Sequence, residues 1–245
     1  MTTAIQAIDL TKKYGAKTAV NALDLSVGQG ELFALLGVNG AGKTTTIKML
    51  TCLTRPTSGD AILLGDSVVS RPEAVKGKTN VSPQETAVAP NLSVKENLVL
   101  IAGIYGSGKQ VARGRADQML SAFGLTEVAK DRAKTLSGGM QRRLSIAMAL
   151  ISDPQILFLD EPTLGLDVLA RRELWAAIEE LKGRVTIVLT THYMEEAEAL
   201  SDRIGVMAKG ELKAIGTTAE LLSKTGTRTL EDAFVSLATE PGVRA

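Results

Sequence analysis

The first thirty positions alternate between apolar and polar residues in the way half-buried strands do. Ile5, Ile8 and Leu10 lead to Tyr14, and Leu23, Leu25 and Val27 lead to a turn at Gly28-Gln29-Gly30. Antiparallel strands are predicted there. The texture then changes, because Leu32-Phe33-Ala34-Leu35-Leu36 is an unbroken apolar run, the pattern of a parallel-sheet strand covered by helices on both faces. A helix from about Gly42 to Leu53 follows, and RPTSGDAILLGDSV (55–68) reads as a turn and a further strand.

From Ser93 the period lengthens. Ser93-Val94-Lys95-Glu96 has the spacing of a capping box ahead of an apolar stretch, and a second helical region runs from about Lys109 to Phe123. Residues 85–152 are therefore read as a helical lobe. Beyond it the buried-strand pattern returns at Ile156-Leu157-Phe158-Leu159 and at Val185–Leu189, with an amphipathic helix at about Val168–Lys182 between them. That order is βαβ, which predicts a mostly parallel sheet. Trp175 lies inside this helix and reads as core. The expected class is α/β: a phosphate-loop core with a mostly parallel sheet, an N-terminal antiparallel β region and a helical lobe. A small C-terminal helical extension is expected at about 217–240, and residues 1–245 are read as one domain without repeats.

Composition narrows the function classes. With 245 residues and 44% hydrophobic content the chain can bury a sizeable core without staples. Its 28 basic and 27 acidic residues leave a formal charge of +1, so nothing argues for a general nucleic-acid surface. Cys52 is the only cysteine, which rules out an intrachain disulfide and reads as packing. The start, MTTAIQAIDLTKKY, lacks the basic and apolar regions of a secretory signal. The most apolar runs, Leu98–Tyr105 and Ile146–Ile151, fall short of the roughly 18 residues a spanning helix needs, so the chain is not expected to cross a membrane by itself.

The chemistry concentrates in three places. GVNGAGKT (37–44) is a phosphate-loop pattern between a strand and a helix. Gly37, Gly40 and Gly42 let the backbone turn with its N–H groups inward, Lys43 brings a charge to the β and γ phosphates, and the Thr44 hydroxyl suits magnesium. Asn39, Ala41 and Thr45 complete the predicted nucleotide-binding set. ILFLDEP (156–162) ends a buried strand in two carboxylates. Asp160 is the expected magnesium partner, and Glu161, pointing elsewhere because side chains alternate along a strand, is expected to polarise an attacking water. Alone, such a pair reads as a solvated loop; beside a phosphate loop it reads as a metal and water site. The third place is LSGGMQ (136–141), a polar glycine loop opening a helix, which offers free N–H groups to a second anion.

With LSGGMQ the chain resembles the nucleotide-binding subunit of an ABC transporter over nearly its whole length. The motifs stand in order: Tyr14, GVNGAGKT, Gln84 in VSPQE, LSGGMQ, ILFLDEP, LGLD (164–167) and His192 in TTHYMEEAE. RPTSG, LSVKENL and TLEDAF further resemble the drug-exporter type whose membrane subunits are separate chains. The resemblance implies ATP and Mg2+ as ligands, with two cassettes facing head to tail. Ser137, Gly138 and Gly139 of one would then close over the nucleotide held by the other. It further implies that Tyr14 stacks on adenine, Gln84 touches metal or water and links to the membrane subunit, Asp167 lines the dimer interface and His192 contacts the γ-phosphate. Glu161, His192 and Gln84 would be the catalytic set; Thr44, Gln84 and Asp160 would hold the metal. The implied partners are a second nucleotide-binding subunit and an integral membrane subunit, with no nucleic acid, at the cytoplasmic face of the cell membrane.

A rival is a soluble ABC protein acting on DNA or ribosomes. Such relatives carry a long coiled-coil insertion or a second cassette, and this sequence has room for neither between its single set of motifs. A phosphate-loop GTPase would need an Asn-Lys-x-Asp guanine reader, which is absent from the sequence. Three departures from the family pattern remain: polar Asn80 and Ser82 before the glutamine, bulky Leu164, and Val168 in place of a frequent proline.

Overall fold

Two sheets make up the frame of the structure, a computed structural model that describes residues 2–239. The first is antiparallel, in the order β2-β1-β4-β5, from β1 (Thr3–Tyr14), β2 (Lys17–Gly28), β4 (Ser58–Leu63) and β5 (Asp66–Ser67). The simple alternation expected in β1 does not hold. Ile5 and Leu10 are both buried although five positions apart, while Ile8 between them is 52% exposed. Asp9 adopts a left-handed φ of 50° and the register with β2 shifts between Ala7 and Leu10, so an extra residue flips the face.

The second sheet runs β10-β9-β3-β8-β7-β6. β3 (Leu32–Leu36), β6 (Thr79–Ser82), β7 (Ile156–Asp160), β8 (Thr186–Thr191) and β9 (Arg203–Ala208) are parallel, and only β10 (Glu211–Gly216) turns back. Within the continuous apolar runs, burial still alternates by face. Phe33, Leu35 and Phe158 join Ile5, Leu10, Leu23 and Leu63 in a core against the antiparallel sheet. Leu32, Leu36, Leu157 and Leu159 join Val94, Leu98, Leu144 and Leu174 in a core under the helices. Each such side chain contributes about 1.5–3 kcal/mol by leaving water, which is why the runs Leu32–Leu36 and Ile156–Leu159 are unbroken by polar residues.

Helix α1 (Lys43–Leu50) follows β3 and buries Ile47, Met49 and Leu50 toward the antiparallel sheet. It stops before the predicted Leu53 because Cys52 takes φ 57°, a left-handed turn; the half-buried thiol packs near the Val68 carbonyl. After α2 (Pro72–Lys76), helices α3 (Val94–Ile104), α4 (Lys109–Ala122) and α5 (Gly138–Leu150) occupy the region read as a lobe. The capping box of α3 is formed in both directions: Glu96 N–H donates to Ser93 Oγ at 3.2 Å and Ser93 N–H to Glu96 Oε2 at 2.7 Å. Helix α6 (Val168–Glu179) ends before Lys182, ahead of left-handed Gly183. Then come α7 (Met194–Leu200), α8 (Thr218–Thr225) and α9 (Leu230–Thr239); Glu240, the end of the predicted extension, lies outside the described residues.

The polar residues of β6 are satisfied locally. Ser82 Oγ is 3.0 Å from Ser145 Oγ, and Asn80 donates to Ser152 Oγ at 3.1 Å, so both tie the strand to α5 and its end. Among the described residues no helix is long and apolar enough to cross a membrane.

Candidate functional site: a phosphate cleft at the ends of three strands

Between the end of β3 and the start of α1 the phosphate loop has no room for a side chain at Gly37 or Gly42. A Cβ on Gly37 would lie 2.4 Å from the Met207 carbonyl oxygen, and one on Gly42 would lie 2.6 Å from that of Ala19. Gly40 and Gly42 also take φ of 82° and 109°, which other residues adopt only with strain. The loop is thus pinned between β2 and β9. Gly37 and Ala41 are buried beneath it, whereas Asn39, Gly40, Gly42, Lys43, Thr44 and Thr45 face a cleft of about 460 Å³. This is the carboxyl end of the parallel strands, where open α/β sheets place their ligands.

Gln84 and Glu161 form another wall of the cleft, and Lys17, Thr18, Ala19, Lys209 and Gly210 close it. This last group was not predicted. It comes from the start of β2 and from the β9–β10 hairpin, whose two-residue turn has φ 52° at Lys209 and 82° at Gly210. The apolar run IGVMA, followed by Lys-Gly and the alternating ELKAI, was a readable hairpin signal. Tyr14 does not line the cleft; it is half exposed at the end of β1, with the Lys12 ammonium 5.1 Å from its ring centre.

The two carboxylates of β7 serve different partners, but not through strand alternation. Asp160 ends the strand, and Thr190 donates to its Oδ1 at 2.6 Å and Thr44 at 3.2 Å. Glu161 has left the strand conformation, with φ 47°. This turn aims its side chain back over the loop, where Oε1 meets Lys43 Nζ at 3.2 Å and Oε2 meets His192 Nδ1 at 3.1 Å. A left-handed non-glycine residue costs about 1–3 kcal/mol and persists where its surroundings over-determine it. Here the Glu161 N–H is held by both the carbonyl and the hydroxyl of Thr190. Lys43 is nearly sealed and also donates to the Gly37 carbonyl at 2.7 Å.

Thr44 and Asp160 present hard oxygen atoms a hydrogen bond apart, with Gln84 across the cleft. Among the described residues no cluster of three or more His, Cys, Asp or Glu could cage an ion. That donor set fits magnesium, which is held by few protein oxygens together with phosphate and water.

One residue that sequence reasoning missed organises this wall. Arg142 of α5 is buried, and its guanidinium donates to the carbonyls of Pro162 at 2.8 Å, Asp160 at 2.7 Å, Gln84 at 3.3 Å and also Pro83. It clamps the chain on both sides of the carboxylates to the segment carrying Gln84. Burial lowers its pKa to about 10, with Asp160, Glu196 and Glu161 opposing, so it stays charged at neutral pH. Arg142→Lys is expected to lose about 2–3 kcal/mol in denaturant unfolding, because one ammonium cannot reach carbonyls spread over a planar fork.

The LSGGMQ loop lies elsewhere. Ser137 is exposed and caps α5, accepting from Met140 N–H at 3.3 Å; Gly138 and Gly139 begin the helix, and none of the three lines the cleft. Gly139 is required for packing, since a Cβ there would lie 2.9 Å from the Ala170 Cβ of α6. Asp167 is exposed and caps α6 through Leu169 and Ala170.

Comparison with known proteins agrees with this geometry. The family described as "ABC transporter" matches residues 20–164. The linearmycin resistance ATP-binding protein LnrL of Bacillus subtilis is 43% identical over 95% of this chain and 75% of its own length. The daunorubicin/doxorubicin resistance ATP-binding protein DrrA of Streptomyces peucetius is 43% identical over 94% and 70%. An ABC transporter A family member 11 of Arabidopsis thaliana is 47% identical over 85% of this chain, which spans only 22% of that longer protein. The solved structure of an ATP-binding subunit of an ABC transporter superposes with a TM-score of 0.85 at 30% identity, covering 96% of this chain and 99% of that one. A dimeric ATP-binding cassette in a post-hydrolysis state, bound to ADP and Pi, gives 0.78 at 26% identity over 87% and 98%. With a phosphate loop, paired carboxylates and a second glycine loop in this frame, the chain belongs to the ABC transporter family and is an ATPase cassette of it.

Proposed function

We propose that this chain is the ATP-hydrolysing subunit of an exporter, working in pairs at the cytoplasmic face of a membrane through a separate integral membrane subunit. The observation that carries the reading is Glu161, turned out of its strand and held between Lys43 and His192 at the mouth of the phosphate loop. The loop N–H groups and Lys43 bind the β and γ phosphates. Glu161 accepts a hydrogen bond from the attacking water and withdraws its proton, while His192 fixes the second carboxylate oxygen and contacts the γ-phosphate. Thr44, Asp160 and Gln84 would hold magnesium, which when bound neutralises charge on the phosphate oxygens. Tyr14 is the proposed adenine platform.

Two surfaces support the partners. Leu164, Val168 and Leu169, exposed around Asp167, offer an apolar border to a second cassette that would bring its own Ser137, Gly138 and Gly139. Leu100, Ile104 and Tyr105 leave an exposed apolar patch at the end of α3, suited to a helix of the membrane subunit. The bacterial relatives named above are resistance proteins, which favours export over action on DNA or ribosomes.

The test is affinity purification from membranes with the bound membrane protein identified, followed by phosphate release from Mg-ATP by that complex. Recovery of an integral membrane protein and ATP turnover is expected. Turnover stimulated by DNA or ribosomes, with no membrane protein retained, would overturn the reading.

A further inference from the structure

Behind the catalytic wall lies a buried carboxyl group that the proposed chemistry does not use. Glu196 of α7 is fully buried, and Trp175 of α6 donates its indole N–H to Oε1 at 3.2 Å. The hydroxyls of Thr191 and Thr163 face the same carboxyl, and the Arg171 charge acts on it. Burial pushes the carboxyl above the usual range, opposed by the nearby Thr191 and Thr163 hydroxyls, the Trp175 indole N–H and the Arg171 charge. Thr163 Oγ1, Arg171 Nε and Glu196 Oε2 are all buried without a hydrogen-bond partner among the described residues, so the junction carries polar groups that are not fully satisfied.

The neighbours of Glu196 have a common property: each sits beside a functional segment. Thr191 precedes His192, and Thr163 follows Glu161 by two residues. Arg171 and Trp175 lie on the helix that Asp167 caps. Arg171 further stacks over the Tyr193 ring at 4.8 Å and faces Glu195 at 3.9 Å, while Tyr193 stacks on His192 with ring centres 4.1 Å apart. The carboxyl thus stands where the end of β8, the turn after β7 and helix α6 converge.

We propose that Glu196 is a positioning residue that couples the His192 segment, the Glu161 turn and α6, so that a γ-phosphate contact at His192 is transmitted to the helix bearing Asp167. It touches no reacting atom. This inference rests on the hydrolytic reading above, and the wild-type protein assayed in parallel separates the two: absence of any wild-type turnover is a failure of that reading alone.

The chain contains one tryptophan, and it is the residue bonded to Glu196. Intrinsic fluorescence therefore reports on this junction without depending on turnover. In the wild type, a non-hydrolysable ATP analogue with Mg2+ is expected to change Trp175 emission relative to Mg-ADP, and in Glu196→Ala that difference is expected to vanish. Glu196→Ala should lower kcat about tenfold or more with KM for ATP within about twofold, since misplacing catalytic groups by less than an ångström has effects of this size. Glu196→Gln, which keeps an acceptor for the indole, should restore most of the lost kcat. Should Glu196→Ala not fold, Trp175→Phe takes its place in the kinetic comparison and should lower kcat at unchanged KM. Wild-type emission that is the same with both nucleotides, or a kcat in Glu196→Ala or Trp175→Phe equal to that of the wild type, would overturn the proposal.

Discussion

Glu161→Gln is expected to reduce ATP hydrolysis by about a hundredfold to ten-thousandfold, the usual contribution of a positioned general base, while ATP binding survives. The amide keeps the shape of the side chain and an acceptor for Lys43, so the turn at φ 47° and its bonds to Thr190 need not change. What disappears is the charge that withdraws a proton from water. The ammonium of Lys43 retains the Gly37 carbonyl as partner, and no longer shares its charge with a carboxylate, so its hold on phosphate should if anything tighten. A slow cassette that still binds ATP remains closed, and an ATP-dependent dimer should become visible in size-exclusion chromatography. Phosphate release measured under single-turnover conditions checks the first part. Turnover near the wild-type rate would remove Glu161 from its assigned role.

The same residue shows what a sequence does and does not disclose. That β7 would end in two carboxylates was legible because a fully apolar strand followed by Asp-Glu beside a phosphate loop has few other uses. How they divide their work was not, because alternation applies only while the backbone stays extended, and Glu161 leaves it. β3 and β7 were readable for a related reason: two covered faces demand an unbroken apolar run, and chemistry alone supplies it. The bulge at Asp9 gave no such signal, since an extra residue changes the face without changing the composition. Arg142 and Glu196 were hidden differently. Their main partners are backbone carbonyls, hydroxyls and an indole brought together from distant segments, and in one dimension each looks like an ordinary charge on an amphipathic helix. The cleft residue Lys209 was missed because the β9–β10 hairpin reaches the loop only through the sheet order, with β9 beside β3.

Ser137→Arg is expected to abolish hydrolysis without weakening ATP binding by the isolated chain. Ser137 lies outside the cleft and on the surface, so an arginine there blocks nothing within its own protomer. Loss of the helix cap costs about 1 kcal/mol of stability, and Ser137→Ala, which carries that loss without the bulk, controls for it. The larger effect comes from the pair. Hydrogen bonds to a charged phosphate contribute about 1.5–3 kcal/mol each, and two such loops can supply the roughly 5.5 kcal/mol that carries an open pair to a closed one. An arginine wedged at each junction removes both contributions. Mixing the two defective proteins then discriminates between a loop that serves its own nucleotide and one that serves its neighbour's. In a head-to-tail pair of Ser137→Arg with Glu161→Gln, one site has an intact Glu161 from the first chain and an intact Ser137 from the second, and the other site has neither. Half the pairs in an equal mixture are of this kind, so activity should return to about a quarter of the wild-type value if sites act independently. A loop acting on the nucleotide of its own chain allows no such recovery, because every chain in the mixture then carries a broken site.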